Sequence, residues 1–325
     1  MTDNIEHASM ADAVILGSGM AGLACGRHLA KAGQNPVILD KGRGVGGRMA
    51  TRRIRIGGQD LSFDHGAQYF TARDPDFSAL VETMATAIAP WDDDGPEPRF
   101  VGLPGMSGLP KALASALHVR QGVEVTGLHR DGPLWMLDTG AETIATRRLV
   151  MTIPAPQAAR LLGPAHPFHA RLAGIVMAPC LTLMAAFPAE APRPFQSRAS
   201  ETHPLAWIAQ DSSKPARNRS LTTWVAQASP AWSGMNLEED PETIAARMLP
   251  LLAAAIGASP DDAQYAVAHR WRFARVVNPL GQPFLRSEDG TLWLGGDWCL
   301  GARVEAAWMS GNAIASDVLK AMHAE

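Results

Sequence analysis

Apolar positions along this chain change period from segment to segment, and each period predicts an element. Val14-Ile15-Leu16 is an unbroken apolar run of strand length, the pattern of a parallel strand covered on both faces. From about Ala21 to Ala32 the apolar residues follow a helical period, and Gly33 supplies the stop. Pro36-Val37-Ile38-Leu39 reads as the next strand, and Leu61-Ser62-Phe63-Asp64 alternates with the period of a short one. A helix is expected from about Asp76 to Ala89, a loop over Pro90–Pro98, a tight turn in Phe100–Met106 and a short helix over Pro110–Leu117.

From Val119 the pattern becomes β. Val123, Val125, Leu128, Trp135–Leu137 and Glu142–Ile144 suggest a small antiparallel meander that turns at Asp131-Gly132. Arg148–Ile153 returns as a strand and is stopped by Pro154-Ala155-Pro156. Between about 160 and 285 the texture changes, with frequent proline and tryptophan. Cys180–Phe187 and Leu221–Gln227 are its best strands, and Phe187–Phe195 is a proline-rich loop. Pro241–Ile256 is its best helix, carrying Ile244, Met248, Leu251, Leu252 and Ala255 on one face. The chain closes with a strand at Thr291–Leu294, a Gly295-Gly296-Asp297-Trp298 turn and a helix over Val304–Ile314.

Chemistry enters at the first turn. Gly17, Gly19 and Gly22 form a GxGxxG between strand and helix, around Ser18, Met20 and Ala21. The first glycine allows the tight turn, the second lets backbone approach a pyrophosphate, and the third lets the helix pack close. Asp40 ends the second strand, where a ribose hydroxyl would be held. The loop Lys41–Met49 holds four glycines and the cations Lys41, Arg43 and Arg48. These cations read either as solvated charges or, so soon after Asp40, as a cover over a dinucleotide phosphate or a flavin edge; Gly47, Arg48 and Met49 are the candidates. Ala67 and Gln68, beside Tyr69, are expected at a flavin ring, with core packing of the Tyr–Gln pair as the other reading. Val125 joins the candidate cofactor contacts. Near the C-terminus, Gly296 and Asp297 and the helix start at Val304 and Glu305 are candidates for the ribityl chain and the pyrimidine ring, because a helix N-terminus stabilises negative charge. Trp271 is a candidate stacking wall, and His269 is a candidate site residue against an equally good core reading. The stretch Gln210–Pro215 is expected to face a cleft. No catalytic role is assigned to His65. GxGxxG at one end and Gly-Gly-Asp-helix at the other favour FAD over NAD.

Together these readings predict an α/β fold of the two-dinucleotide-binding flavoprotein type. A Rossmann-type FAD-binding domain of residues 11–75, 100–160 and 286–325 carries an inserted α+β substrate domain of residues 76–99 and 161–285. Composition narrows the class further. The chain has 325 residues, 46% of them hydrophobic, enough for a sizeable core. A formal net charge of -3 with no basic block excludes an electrostatic nucleic-acid footprint. Cys25, Cys180 and Cys299 are too few and too scattered for a disulfide framework or a zinc site, and Cys25 reads as a small core residue. Asp92, Asp93 and Asp94 have no histidine near them and read as a solvated hairpin, so no metal is expected. No apolar run is long enough to span a bilayer, and the polar first ten residues read as a frayed tail, with Met10 as an alternative start. A cytoplasmic enzyme without membrane or nucleic-acid partners is expected.

Several segments taken together resemble bacterial renalase-like proteins, within the flavin amine oxidase superfamily. They are Gly17–Gly22 (GSGMAG), Asp40–Met49 (DKGRGVGGRM), Asp64–Asp74 (DHGAQYFTARD), Ser213–Arg217 (SKPAR), His269–Ala274 (HRWRFA) and Gly295–Gly311 (GGDWCLGARVEAAWMSG). The resemblance implies non-covalent FAD and oxidation of dihydronicotinamides reduced at the 2- or 6-position. A hydride would pass to flavin N5, leaving NAD(P)⁺, and O2 would be reduced to hydrogen peroxide. Because the product is an aromatic pyridinium, no general base is required, and orientation of the substrate ring is the main task. The chain departs from that pattern at Gln210 and Asp211, where Arg-Asn is common, and at Gln227, where a histidine is common. Cys299 does not stand where monoamine oxidases link the flavin. An amine oxidase or desaturase on the same fold, and a dinucleotide-binding protein without turnover, are the alternatives.

Overall fold

Ala13–Leu16 is wholly buried because it has a parallel neighbour on each side, Pro36–Asp40 on one and Leu149–Met151 on the other. In the computed structural model, which describes residues 11–93 and 95–324, these strands sit at the centre of a six-stranded sheet. Its order is Phe284–Arg286, Leu292–Gly295, Leu149–Met151, Ala13–Leu16, Pro36–Asp40, His118–Gln121, and only the Phe284–Arg286 edge is antiparallel. The N-terminal tail of the sequence reading lies outside the described residues, as does Asp94.

Helices Met20–Lys31 and Val304–His323 cover one face of this sheet and lie against each other. A Cβ on Gly311 would stand 2.1 Å from the Ala21 carbonyl oxygen, so the two helices meet backbone to backbone. Ile15, Leu23, Ile314, Ala315 and Val318 form their common core. The closing helix therefore runs well past the expected Ile314, because its later apolar positions are buried too.

The second sheet is antiparallel throughout, in the order Ser197–Ala199, Leu205–Gln210, Thr222–Ala228, Met177–Phe187, Tyr265–Val276. Helix Pro241–Ile256 has the expected bounds. Asp240 caps it, and Gly257 ends it in the left-handed region. Alternation along Met177–Phe187 explains its apolar run. Leu181, Leu183, Ala185 and Phe187 face the helix, while Met184 and Ala186 face Leu61 and Phe63 of the hairpin Thr51–Ile56 and Gln59–Asp64. Both faces are covered, so both parities are apolar.

Three expectations change. The helix expected to Ala89 spans only Pro75–Thr83, and Ile88–Trp91 is a strand paired with Arg99–Gly102. Residues 76–99, grouped by sequence with the substrate domain, pack on the Rossmann side: Phe77, Val81, Ile88 and Trp91 share a cluster with Ile15, and the Phe77 ring lies 5.3 Å from that of Trp308. His118–Gln121 extends the six-stranded sheet, and the meander is confined to Gly127–Asp131, Leu134–Asp138 and Thr143–Thr146. Among the described residues, no helix is long and apolar enough to cross a membrane.

Candidate functional site

The glycine turn is built by contact distances. Gly17 takes φ +103° and donates its N–H to Leu39 O at 2.8 Å, which seats the turn over the second strand. A Cβ on Gly22 would stand 1.9 Å from Gly17 O, so only glycine lets the helix start this close. A Cβ on Gly19, by contrast, meets nothing within 4 Å. The backbone there is open, at the N-terminus of a 12-residue helix whose first amides Met20 and Ala21 belong to. Asp40 clips the turn to the loop that follows. Its Oδ2 accepts from the Ser18 N–H (2.6 Å) and hydroxyl (2.7 Å), and its Oδ1 accepts from the Gly42 N–H (2.6 Å).

That loop folds back over the turn. Gly46 N–H donates to Ser18 O at 2.9 Å, and a Cβ on Gly47 would stand 3.6 Å from Gly19 Cα. Lys41 reaches outward to the exposed Glu124 (3.3 Å), and Arg43 is exposed. Val125 packs half-buried on the same edge, where the Val123 N–H donates to Asp40 O. Met49 is buried in the core. Arg48 turns the other way. Its two terminal nitrogens meet the two Asp297 oxygens at 2.8 and 2.6 Å, and Nη1 also donates to Ala274 O at 2.8 Å. Gly296 precedes Asp297 with φ +148°.

The His65–Phe70 segment passes directly beside this junction. A Cβ on Gly66 would stand 2.0 Å from Arg48 O, and the Ala67 N–H donates to that same oxygen at 2.8 Å. Ala67 and Val304 share a cleft of about 440 Å³, lined also by Tyr69, by Arg73, Arg99 and Arg303 and, among the described residues, by one carboxylate, Glu97, which pairs with Arg73. Arg99 lies 4.2 Å over the Tyr69 ring and 5.1 Å from the Trp207 ring, held by a buried Asp93 that also accepts from Ser197. Asp93 is thus an internal ion-pair partner, because Arg99 gives it a reason to be inside, while Asp92 is exposed as the expected solvated hairpin requires.

One candidate side chain, that of Gln68, points elsewhere than expected. Gln68 is buried with its amide wholly engaged by protein: Nε2 donates to Asp64 O and Gly66 O, and Oε1 accepts from Lys214. It does not line the cleft that Ala67 and Tyr69 line, because the fully buried Lys214 and the turn carbonyls draw it inward. The Glu305 carboxylate accepts from the Arg73 and Asp74 N–H groups at 2.6 Å each and pairs with Arg303, so the helix start is presented through backbone amides.

His269 and Trp271 join a residue to which no role was assigned. The His65 ring lies 4.7 Å from His269 and 5.3 Å from Trp271, and the Trp271 indole donates to His65 O at 2.7 Å. Burial, followed by the nearby His65 and Arg52 charges, pushes the His269 pKa down to about 4, and burial lowers His65 as well. Both rings are therefore neutral near pH 7. The row continues across the second sheet, where His269 pairs with Thr182, Thr182 with Gln227, and Gln227 with Trp207.

In Gln210–Pro215 the expectation of a cleft-facing stretch divides. Asp211 and Lys214 are fully buried in an ion-pair group with Asp64 and Arg217, whereas Gln210, Ser212 and Ser213 line a smaller cavity of about 240 Å³ with Arg193 and Arg219. Burial alone would raise the Asp64 carboxyl, but the Lys214 and Arg217 charges and the Met106 N–H together hold it below its ordinary value. Asp211 is pushed up, by burial and by the Asp64 charge, against the pull of Lys214. Arg99, Trp207, Arg303 and His65 are the site residues that sequence reading missed. Only Arg99 carried a signal, as a lone cation beside an acidic run.

Comparison with known proteins accords with this geometry. Residues 15–84 match the model of an NAD(P)-binding Rossmann-like domain, and residues 82–319, well over half of the chain, match that of the flavin containing amine oxidoreductases. The chain is similar in structure to a protein from Exiguobacterium sp. 255-15 assigned as a protoporphyrinogen oxidase, with TM-score 0.77 and 13% identity over 95% of this chain and 99% of that one. It is similar also to cyclohexylamine oxidase from Brevibacterium oxydans IH-35A, with TM-score 0.76 and 13% identity over 97% and 100% of the two chains. A double mutant of putrescine oxidase matches with TM-score 0.71 and 13% identity, over 96% and 99%.

Proposed function

The chain belongs to the family of flavin containing amine oxidoreductases, with FAD as its cofactor, and from that premise we propose that it oxidises dihydronicotinamides reduced at the 2- or 6-position. The ring gives up a hydride and becomes the pyridinium of NAD(P)⁺; O2, with that hydride and one proton, becomes hydrogen peroxide. FAD, when bound, supplies the two-electron acceptor. In this reading Gly17, Gly19, Gly22 and the amides of Met20 and Ala21 receive the pyrophosphate, with Gly47 across from them. Asp40 and Val125 flank the adenosine end, with Lys41 and Arg43 outside. Arg48, Met49, Gly296 and Asp297 flank the ribityl chain. Ala67 and the Val304 and Glu305 amides meet the ring system. The open backbone at Gly19 and the free amides at the start of the closing helix fit such a molecule.

The observation that carries the substrate class is the cleft of Ala67 and Val304, with three guanidiniums and one carboxylate on its lining. A dinucleotide brings phosphate charge to such a mouth, and guanidiniums bind phosphate bidentately. A protonated amine would instead need open aromatic faces or free carboxylates. The Tyr69 face already carries Arg99, and Glu97 is taken up by Arg73; the guanidiniums are paired too, with Glu97, Asp93 and Glu305, but each has N–H donors beyond its pair. Among the described residues lining this cleft there is no histidine or lysine, which suits a reaction whose product needs no proton removed. Trp271 and the neutral His269, which stand outside that lining beside His65, then act as ring and wall, with Tyr69 at the mouth.

Anaerobic mixing of the yellow holoprotein with 6-dihydroNAD is expected to bleach the flavin absorbance, and readmitted O2 to restore it with one hydrogen peroxide per turnover. A flavin that stays oxidised with this donor, but is reduced by cyclohexylamine or putrescine, would reject the proposal in favour of amine oxidation.

A further inference from the structure

The run Ser213–Arg217 takes little part in the cleft, yet its Lys214 is fully buried. A buried ammonium requires charge and hydrogen bonds around it. Lys214 Nζ lies 2.6 Å from Asp211, 3.3 Å from Asp64 and 3.3 Å from Gln68 Oε1. Arg217 closes the group at 2.5 Å from Asp64, while its other terminal nitrogen serves the carbonyls of Gly102, Pro104 and Pro215. Two carboxylates balance two cations, but only when both parts of the protein are joined. Asp64 comes from the Rossmann side; Asp211, Lys214 and Arg217 come from the loop of the second sheet.

The group reaches the cofactor side through Gln68. With Oε1 held by Lys214, Nε2 is directed at Asp64 O and Gly66 O, the latter at 3.2 Å. Gly66 O takes a second donor from the second sheet, Gln227 Nε2, at 2.6 Å. From the opposite side Gly66 is pressed on Arg48 O, and Ala67 donates its N–H there. The turn is thus gripped from both parts of the molecule.

We propose that Lys214, acting through Gln68, is a positioning residue that holds the Gly66–Ala67 turn at the flavin, so that the second domain helps to set FAD affinity. The inference rests on the placement of Ala67 beside FAD proposed above. Groups that support a binding shell from behind typically change affinity by about tenfold or more when removed.

Titration of the apoprotein with FAD, followed by flavin fluorescence, tests this in two variants. Gln68→Met leaves every charge paired and cuts only the link. Lys214→Met with Asp211→Asn removes one ion pair as a neutral unit, avoiding a stranded buried charge. Each is expected to raise the FAD dissociation constant about tenfold and to shift the visible bands of the bound flavin, while combining them adds little, since both act through one turn. Wild-type affinity in Gln68→Met, or losses that simply multiply in the combined variant, would overturn the inference; should the charged pair variant not fold, Gln68→Met decides alone. Asp40→Ala is the control for the placement itself. If it loses FAD while Gln68→Met does not, the positioning role fails and the placement stands; if neither loses FAD, the placement fails.

Discussion

Arg48 and Asp297, 249 positions apart, meet in a two-bonded ion pair at 2.6 and 2.8 Å. The loop after the second strand and the turn before the closing helix are joined there, so the two ends of the chain form one wall. The Asp297 side chain is 8% exposed and that of Arg48 30%, so removing the cation leaves a nearly buried carboxylate without its partner. Arg48→Met is expected to lower unfolding free energy by about 2–3 kcal/mol, below the full cost for a wholly buried pair because Arg48 is partly wet. Urea unfolding of the apoprotein measures this. Arg48→Met combined with Asp297→Leu is expected to recover part of the loss, since no orphan charge then remains.

The glycine turn makes a sharper contrast, because Gly19 and Gly22 sit three residues apart with opposite surroundings. Gly22→Ala drives its Cβ into Gly17 O and must displace the helix start, so destabilisation of about 2 kcal/mol or more is expected in the apoprotein. Gly19→Ala meets no protein atom within 4 Å, and at φ -70° and ψ 179° alanine fits the backbone, so the poorer N-cap, about 1 kcal/mol, is largely offset by the smaller entropy of the unfolded chain. Its effect should fall on FAD, whose pyrophosphate needs the bare backbone there. Thermal melts with and without FAD separate the two: Gly22→Ala lowers both, Gly19→Ala only the holoprotein. A Gly19→Ala variant that keeps full FAD stabilisation would remove this turn from the cofactor site.

Much of this wall was readable in sequence because its parts are local. Strand, turn, helix, strand and acid lie within 14–40, and each is specified by its own spacing. What could not be read depends on partners far away in the chain. Gln68 looked like a flavin contact, but its direction is decided by Lys214, 146 positions on. Ile88–Trp91 has the same apolar content as a helix end, and only pairing with Arg99–Gly102 makes it a strand. His65 was invisible as a site residue since its meaning lies in two rings on another strand. Arg99 and Trp207 meet across both parts of the protein; Arg99 stands out only as a lone cation beside an acidic run, and Trp207 carries no local pattern that announces it.

For the substrate, the cleft arginines can be tested by comparing donors that differ only in phosphate. Arg303 is exposed at the mouth and pairs with Glu305, whose other oxygen is held by two backbone amides, so Arg303→Met should leave the fold intact. With the dihydronicotinamide dinucleotide, kcat/KM is expected to fall by about tenfold, the worth of one charge-assisted contact of about 1.5 kcal/mol. With the phosphate-free riboside it should stay within about twofold, and added salt should weaken only the dinucleotide. Equal losses on both donors would show that Arg303 acts on something other than phosphate.

The His65–His269–Trp271 group predicts the acid limb of stability. His269 has its pKa depressed from 6.5 to about 4 by burial first, then by the charges of His65 and Arg52. Between those values the unfolded chain binds a proton that the folded one refuses, so stability rises with pH across the window. The contribution of the neutral ring is complete above pH 6.5 and is lost as pH falls through about 4. His65, lowered in the same direction and in edge contact with His269, adds to the same slope. Melting temperature measured from pH 7 to pH 4 should therefore fall, with a parallel change in Trp271 fluorescence as the neighbouring ring charges. His269→Leu removes one titrating group from a half-buried position, and its melting temperature should decline less steeply over the same range. If wild type and variant decline in parallel, the acid sensitivity lies elsewhere, and the carboxylates held low by Arg and Lys partners, Asp64 first, become its source.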